Sequence, residues 1–392
     1  MSVNRRAWKS ALWGMITLWL VAAGVILLAS LTLPEPAGPP SLYSVETMER
    51  LEDQNVFSRY ILAPWYRWDT VNYLAIADEG YRSDLRLTVW PPLYPLLIRG
   101  FTVLTGESML AALLISQLAT LLFFYLFYRF CAETWNEDVA RRAVSFIAAF
   151  PTAFFLIAGY TEALFLLLAL LSIHLARKGK WWGAGIAAFA AAMTRNTGVF
   201  LALPLAWEGL MAWRKAPEQR WKIILQTGFA CALPVIGFAG FAAWVHFGLG
   251  TAYPWQTLQS EWQQYVGLPW EGWVNAAVGL AKGSLPPPYN GFSVTFDLLL
   301  GLLAAITLVV GTKKLPVSLS LFGWVTLLSA LTKLSSSGAV ISLSRYALSV
   351  FPMFIVLGLT VKKPGLRLAW MAVSLACQAI LLLLYYGWGW VA

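Results

Sequence analysis

The chain has 392 residues, of which 59% are hydrophobic and 12% charged, and its mean hydropathy is +0.65. Soluble domains carry about 25% charged residues, so this composition excludes an ordinary water-soluble fold and predicts an integral membrane protein. The formal net charge is +9, but the basic residues form short clusters between apolar runs, which argues against a nucleic-acid partner. Three widely spaced cysteines and two histidines predict neither a disulfide framework nor a zinc site, and no cofactor or metal is expected.

The first apolar stretch, 11–33, follows Arg5, Arg6 and Lys9. A signal peptide begins in the same way, but its apolar core is about 7–15 residues long. The greater length here favours an uncleaved span, with a cleaved signal as the alternative. Because a spanning helix needs about 20 apolar residues, we expect spans at 11–33, 108–130, 143–159, 161–176, 183–210, 223–248, 292–311, 316–331, 345–361 and 368–391.

The basic clusters predict how the chain crosses the membrane. Placing the N-terminus and all the clusters in the cytoplasm satisfies the positive-inside rule; they lie at 5–9, 141–142, 177–180, 214–222, 313–314 and 362–367. This topology requires a hairpin over 143–176 and two half-helices over 183–210 that turn near Arg195. It also requires that 90–104 enters the membrane and returns. The alternative is a short true span at 90–104, with some basic clusters outside.

Two long segments, 34–91 and 249–291, face the outer side in this topology. No soluble domain or repeat is evident, so the sequence predicts a single membrane domain over 1–392. Segment 34–91 contains nine of the 19 acidic residues, and segment 249–291 contains four tryptophans. An acidic, aromatic loop against an apolar bundle suits a polar ligand held at the membrane surface.

Segment 66–81 of the first outer loop predicts a short amphipathic helix in the membrane interface, with Gly80 as its C-terminal cap. Asp69 has two interpretations. Its position favours an N-cap, with a carboxylate that accepts hydrogen bonds from first-turn amides. Alternatively, Asp69 is a general base that takes the proton of an acceptor hydroxyl as the hydroxyl attacks an anomeric carbon. Arg67 and Trp68 would then orient the carboxylate or stack on sugar.

Three further ionisable residues lie in or beside apolar runs, where charge is costly and functional residues are common. Glu162 is either the cap of a hairpin tip or a residue of a polar cavity. Arg195 interrupts the 183–210 run next to a backbone break at 196–198, and either pairs with Glu162 or holds a phosphate. Arg345, followed by Tyr346, opens the 345–361 run. Its guanidinium either grips a phosphate or reaches the interface.

Several segments together resemble the GPI mannosyltransferase II family, in family order from about residue 65 to 355. The matching elements are Arg67-Trp68-Asp69 with Ile76 to Tyr81, Trp90-Pro91-Pro92-Leu93-Tyr94-Pro95, Phe150-Pro151-Thr152-Ala153-Phe154-Phe155 with Tyr160-Thr161-Glu162, Arg195-Asn196-Thr197-Gly198, and Arg345-Tyr346. Two features depart from the family: the Arg-Asn-Thr-Gly order, and the absence of the large luminal insertions of eukaryotic members. Segment 249–291 has no match.

The resemblance implies an all-α polytopic membrane protein with a GT-C-type helical bundle and interfacial helices in the first outer loop. It implies an inverting glycosyltransferase of the cell membrane that takes a sugar, with mannose expected, from a polyprenyl- or dolichyl-phosphate donor. The acceptor would be a lipid or glycan on the outer side, and the departures point to a bacterial or archaeal enzyme whose acceptor need not be a GPI intermediate. Asp69 matches the catalytic acid of GT-C enzymes, which moves the balance from N-cap to base. The expected substrate-binding residues are Arg67, Trp68, Trp90, Tyr160, Glu162, Arg195, Asn196, Arg345 and Tyr346.

Two other classes of function fit parts of the pattern. A lipid-linked oligosaccharide transporter or flippase without catalysis would also place charges inside a bundle, although such proteins often show repeat symmetry. A membrane assembly subunit is the third hypothesis, and it leaves the clustered outer-face charges unexplained.

Overall fold

The computed structural model describes residues 3–32, 55–82, 84–285, 290–335 and 340–391. The part of the predicted first outer loop at 34–54, with five of its acidic residues, therefore lies outside the described residues. The described chain is almost entirely helical, with one two-stranded sheet. The α-helices are α1 Val3–Thr32, α2 Asp69–Asp78, α3 Leu93–Thr105, α4 Ser108–Thr134, α5 Glu137–Ala148, α6 Glu162–Arg177, α7 Trp181–Thr194, α8 Ala202–Lys215, α9 Arg220–Ala243, α10 Pro254–Ser260, α11 Glu271–Lys282, α12 Gly291–Gly311, α13 Val317–Leu331, α14 Leu343–Ser349, α15 Pro352–Thr360 and α16 Pro364–Tyr386.

The long helices form the framework of a multi-pass membrane protein. Within the described residues, five helical stretches are long and apolar enough to cross a bilayer: Val3–Thr32, Ser108–Thr134, Pro217–Gly248, Gly291–Gly311 and Pro364–Tyr386. Helix α4 packs against α1 and α6, and α6 packs in turn against α7. Helix α3 has 13 residues, a rise of about 20 Å, and is too short to cross a hydrocarbon core of about 30 Å by itself.

The predicted span at 143–159 is wrong. Helix α5 ends at Ala148, and residues 149–161 form buried turns around a 3-10 helix, Ala153–Leu156. Pro151 has no N–H to donate and ends the helical ladder. The turns are tolerated because side chains satisfy their carbonyls: Thr120 donates to Leu156 (2.5 Å) and Gln378 to Phe150 (2.9 Å).

The predicted span at 345–361 is broken, since it consists of two helices and not one. Helices α14 and α15 meet at an angle of 76°. Pro352 is the first residue of α15 and cannot continue the hydrogen-bond ladder of α14. Counting this bent pair as one broken span raises the number of candidate crossings to six.

Segment 249–291 is joined to the rest of the chain by a small sheet. Strand β1, Gln264–Val266, pairs antiparallel with β2, Lys333–Ser335, in the register Tyr265 opposite Leu334. Helices α10 and α11 lie on either side of β1 in sequence. Residues 264–266 thereby lie beside the strand that precedes α14.

Candidate active site

A cavity of about 270 Å³ opens between α2, residues 89–91, the break after α7, the sheet and α14. Its polar lining comes from widely separated parts of the chain and includes Asp69, Tyr73, Arg195, Asn196, Lys333, Arg345 and Tyr346. Its aromatic lining is Trp68, Trp90, Trp262 and Trp390. A cavity with a few convergent polar groups on aromatic walls is a typical small-molecule site.

The charged residues of this cavity form one network. Arg345 Nη1 donates to Asp69 Oδ2 at 2.7 Å, and Arg345 Nε lies 3.4 Å from Glu162 Oε1. Arg195 Nη1 donates to the same Glu162 oxygen at 2.5 Å. The side chain of Glu162 is 1% exposed and that of Asp69 is 24% exposed. The buried Glu162 therefore pairs with both arginines behind the cavity wall, while Asp69 is exposed to the cavity.

Asp69 follows a strained turn at the start of α2. It is not the N-cap of this helix, so the N-cap interpretation is wrong. The N-cap position of α2 is Trp68, at φ 51°, and Asp69 is the first helical residue, with its carboxylate bonded to Arg345. A positive φ in a non-glycine residue costs about 1–3 kcal/mol and persists only where packing enforces it. Trp388 and Trp390 supply that packing, with ring centroids 5.8 Å and 5.1 Å from Trp68.

Helix α2 is confirmed, but it is buried on most of its surface and not on one face. Gly80 ends it as predicted, at φ 84°, and its N–H donates to the carbonyl of Ile76. Tyr73 projects from α2 into the cavity. Burial, followed by the charge of Asp69, raises the pKa of Tyr73 well above its usual value, so its phenol stays protonated.

The predicted break near Arg195 is confirmed. Helix α7 ends at Thr194, Arg195 is extended, and a 3-10 helix runs over Asn196–Leu201 before α8 begins. Asn196 donates from its side chain to the carbonyl of Val89 at 3.3 Å. The break thereby places Arg195 in the cavity and connects its neighbour Asn196 to Val89.

Gly198 lets this break fold back on α7, and we expect Gly198→Ala to lower stability by about 1–3 kcal/mol, the usual range for overpacking. A Cβ at this position would lie 2.4 Å from backbone atoms of Ala191 and Ala192. Thermal unfolding in detergent measures the effect. Gly100→Ala, in α3, is the matched control because nothing lies within 4 Å of its added Cβ. Equal midpoints for the two variants would contradict the packing argument.

Arg345 lies in the first turns of α14, and that helix start is held from two sides. The Ser344 N–H donates to Asp297 Oδ1 at 2.7 Å, and Thr152 donates to the Ser344 carbonyl at 3.0 Å. Asp297 is buried in α12 and was missed in the sequence. The sequence did contain a signal for Asp297, because it is an acidic residue inside the apolar run 292–311. The same reasoning identified Arg195 as a candidate site residue.

Arg67 and Tyr160 lie behind the cavity and do not line it. Arg67 is 1% exposed and donates to the carbonyls of Ala63, Tyr66 and Tyr386. Tyr160, equally buried, donates to the Arg67 carbonyl at 3.4 Å, and its ring lies under the Arg345 guanidinium. Arg67 and Tyr160 therefore pack behind Trp68 and Arg345 and would not contact a sugar in the cavity. Glu162 is likewise beneath the lining.

Lys333 is the cavity cation that the motifs missed. It begins β2, and its Nζ donates to the Tyr346 hydroxyl at 2.7 Å. Trp262 and Gln264, from the unmatched segment 249–291, also line the cavity, and Trp262 packs against Trp90 with ring centroids 4.9 Å apart. Three cations (Arg195, Lys333, Arg345) against two carboxylates (Asp69, Glu162) leave a net charge of +1, which suits an anionic ligand.

Comparisons with known proteins agree with this architecture. The family profile described as dolichyl-phosphate-mannose-protein mannosyltransferase matches residues 89–244. A GPI mannosyltransferase 2 of Schizosaccharomyces pombe is 24% identical over 164 residues, which are 41% of this chain and 35% of that protein. The crystal structure of ArnT from Cupriavidus metallidurans bound to undecaprenyl phosphate matches with a TM-score of 0.51 and 16% identity, over 81% of this chain and 62% of that one.

All three point to the GT-C glycosyltransferases. The predicted fold class and family resemblance are confirmed. The chain spans about a third of the length of the GPI mannosyltransferase and less than two thirds of ArnT. Within this GT-C fold, the profile match at 89–244 includes Glu162 and Arg195 but neither Asp69 nor Arg345. The cavity network thus joins residues of the matched part to residues on both sides of it.

Proposed function

We propose that this chain is an inverting glycosyltransferase that moves a hexose, mannose by resemblance, from a polyprenyl- or dolichyl-phosphate donor to a lipid or glycan acceptor. The observation that carries the proposal is the contact of Asp69 with Arg345 in a cavity of net positive charge. A carboxylate that reaches open space can serve as a base, and guanidinium groups bind phosphate in bidentate geometry. ArnT bound to undecaprenyl phosphate and the mannosyltransferase relatives support a lipid-phosphate donor.

The reaction proposed is a single displacement at the anomeric carbon of the donor sugar. The acceptor hydroxyl oxygen forms the new bond to this carbon while the bond from the carbon to the phosphate oxygen breaks. The leaving polyprenyl phosphate keeps the bonding electron pair, and Arg345, Arg195 and Lys333 stabilise its charge. The hydroxyl proton passes to the carboxylate of Asp69. Trp68, Trp90 and Tyr346 would contact the sugar, and Asn196 would fix the wall at Arg195.

The contact between Asp69 and Arg345 gives this mechanism an order of binding. Without donor, the guanidinium neutralises the carboxylate at 2.7 Å. A donor phosphate would compete for the same guanidinium and leave Asp69 freer to accept a proton. Donor binding therefore precedes activation of the acceptor in the proposed cycle.

The proposal places the enzyme in the cell membrane with its N-terminus in the cytoplasm and its active site on the outer side. The basic clusters support this orientation through the positive-inside rule. The relatives are transferases, which favours catalysis over the transporter hypothesis.

Transfer in proteoliposomes tests the proposal. Purified protein would be given radiolabelled polyprenyl-phosphate mannose, or GDP-mannose as the alternative donor, with a crude lipid extract as acceptor. We expect labelled product from the lipid donor only. Product from GDP-mannose in the absence of lipid donor would refute the donor class. Donor that crosses the bilayer without any product would favour the transporter hypothesis.

Replacing Lys333 by glutamine is expected to raise the KM for the lipid donor roughly tenfold, as one lost hydrogen bond to a charged group does. The acceptor KM should stay unchanged, because the lost interaction is with the phosphate. Initial rates over a donor series measure both constants. Lys282→Gln is the control, because Lys282 is exposed at the end of α11 on the same outer segment. A donor KM equal to that of the wild type would remove Lys333 from the phosphate site.

A further inference from the structure

A second cavity, of about 580 Å³, lies between α1, α4, α5 and α16, and shares no lining residue with the candidate active site. It opens near the start of α1, where Arg6 and Lys9 line it. Trp19, ten residues after Lys9, packs on Trp65 of the first outer segment with ring centroids 6.3 Å apart. Ten helical residues rise about 15 Å, so the two cavities lie at different depths along α1.

The lining of this second cavity contains one more cationic side chain than anionic ones. Arg6 pairs with Glu137, and Arg141 pairs with Asp138. Lys9 also lines the cavity and has no ion-pair partner in the described ranges. The lining therefore carries a net charge of +1, which one anionic group would neutralise.

Tyr128 adds an unused donor to the same cavity. Its side chain is fully buried on α4, and its hydroxyl has no hydrogen-bond partner among the residues that the structure describes. The charges that act on its phenol are those of Glu137, Arg141, Arg6 and Asp138. Buried hydroxyl groups nearly always donate to an acceptor. The free donor and the surplus cation therefore call for an anionic oxygen ligand.

Apolar side chains, together with the hydroxyl groups of Ser10, Thr17 and Ser145, form the rest of the second cavity's lining. Trp13, Val144 and Met371 continue the lining beyond the charged residues. Trp13 is 67% exposed on the surface of a helix apolar enough to span a membrane. A basic pocket between membrane helices, open to acyl chains on one side, is the arrangement that binds anionic lipid head groups.

We propose that this second cavity binds the head-group phosphate of an anionic membrane phospholipid, held by Lys9 and Tyr128, with an acyl chain along Trp13 and Met371. The shared chemistry is a lipid phosphate, which polyprenyl phosphate also carries, and the proposal commits to the phospholipid. It is independent of the transferase activity, because none of these residues lines the candidate active site.

Native mass spectrometry of the full chain tests the site. Phosphatidylglycerol is the anionic probe, and phosphatidylcholine, which is zwitterionic and has no net charge, is the comparison lipid. We expect one retained phosphatidylglycerol, with Lys9→Gln and Tyr128→Phe each weakening retention roughly tenfold, the size of one hydrogen bond to a charged group. The Lys313→Gln variant, which changes a basic residue that does not line the cavity, should bind as the wild type does. Thermal unfolding of each variant without added lipid checks that the fold is kept.

Three results would overturn the proposal. One is equal retention of the two phospholipids; another is unchanged retention in both cavity variants. The third is displacement by a single competitor, either undecaprenyl phosphate at equimolar concentration or millimolar inorganic phosphate, because either would identify a different phosphate source. Undiminished transferase activity in Tyr128→Phe would leave the active-site proposal intact whichever result is obtained.

Discussion

Asp69→Asn is expected to reduce sugar transfer by at least about 100-fold, the lower end of the contribution of a positioned general base. The amide keeps the shape of the side chain but cannot take the acceptor proton. Affinity for undecaprenyl phosphate should be retained or increased, because Arg345 no longer has the carboxylate at 2.7 Å. Transfer in proteoliposomes and binding of undecaprenyl phosphate in detergent measure the two effects separately.

Asp84→Asn is the matched control for this variant. Asp84 belongs to the same segment, 34–91, and also pairs with an arginine, Arg86, at 2.6 Å, but it does not line the cavity. Its loss should leave transfer within about twofold, because exposed ion pairs contribute little. Full transfer by Asp69→Asn would remove Asp69 as the base. Loss of both transfer and phosphate binding would make Asp69 a positioning residue for Arg345.

Glu162→Gln should destabilise the protein by about 3–5 kcal/mol, the usual cost of leaving a buried charge unpaired. Glu162 is 1% exposed and contacts Arg195 and Arg345, which are 12% and 8% exposed. Its neutralisation leaves both guanidinium groups in a protein interior without their shared carboxylate. The midpoint of thermal unfolding in detergent measures the loss, and sugar transfer should fall with it.

Glu133→Gln is the control for Glu162→Gln, because it shows whether the loss of stability comes from burial of the carboxylate or from the number of its ion pairs. Glu133 also contacts two cations, Arg129 at 2.7 Å and Lys178 at 3.1 Å, but it is 34% exposed. We expect at most about 1 kcal/mol from this change. The double variant Glu162→Gln with Arg195→Gln restores the charge balance, and should be more stable than Glu162→Gln alone. A smaller effect for Glu162→Gln than for Glu133→Gln would refute the buried network.

The membrane framework could be predicted from the sequence because it depends on apolar length. The stretches at 11–33, 108–130, 223–248 and 292–311 all correspond to helices of the described chain. The missing helix at 143–159 and the break within 345–361 share a cause. Hydropathy measures how apolar a segment is, and not whether its backbone is helical. Residues 149–161 are apolar because they are buried, and their carbonyls are satisfied by side chains of other helices.

The site was predictable where a charge stood out against an apolar run. Asp69, Arg195 and Arg345 were found in this way or by motif, and the structure brings them together through Glu162. Their chemical roles stay predictions. Lys333 could not be found, because a lysine in a polar loop carries no signal until β1 pairs with β2.

Arg67 and Tyr160 were predicted to bind substrate, but the structure places them behind the cavity lining. Both belong to matching motifs, and both support the cavity from behind. A motif records which residues a site needs and does not separate those that line the cavity from those that hold the lining.

The spacing of the ionic network along the chain has a consequence for biosynthesis. Arg195 follows Glu162 by 33 residues, whereas Arg345 follows Asp69 by 276. At about 5–20 residues per second, the ribosome needs roughly 14–55 s to make that interval. The first pair can form once α6, α7 and the break that follows them are made, whereas Asp69 has no arginine partner until α14 is made. The candidate site therefore cannot be complete before α14 is made, and a nascent chain that stops before α14 lacks the arginine that pairs with Asp69.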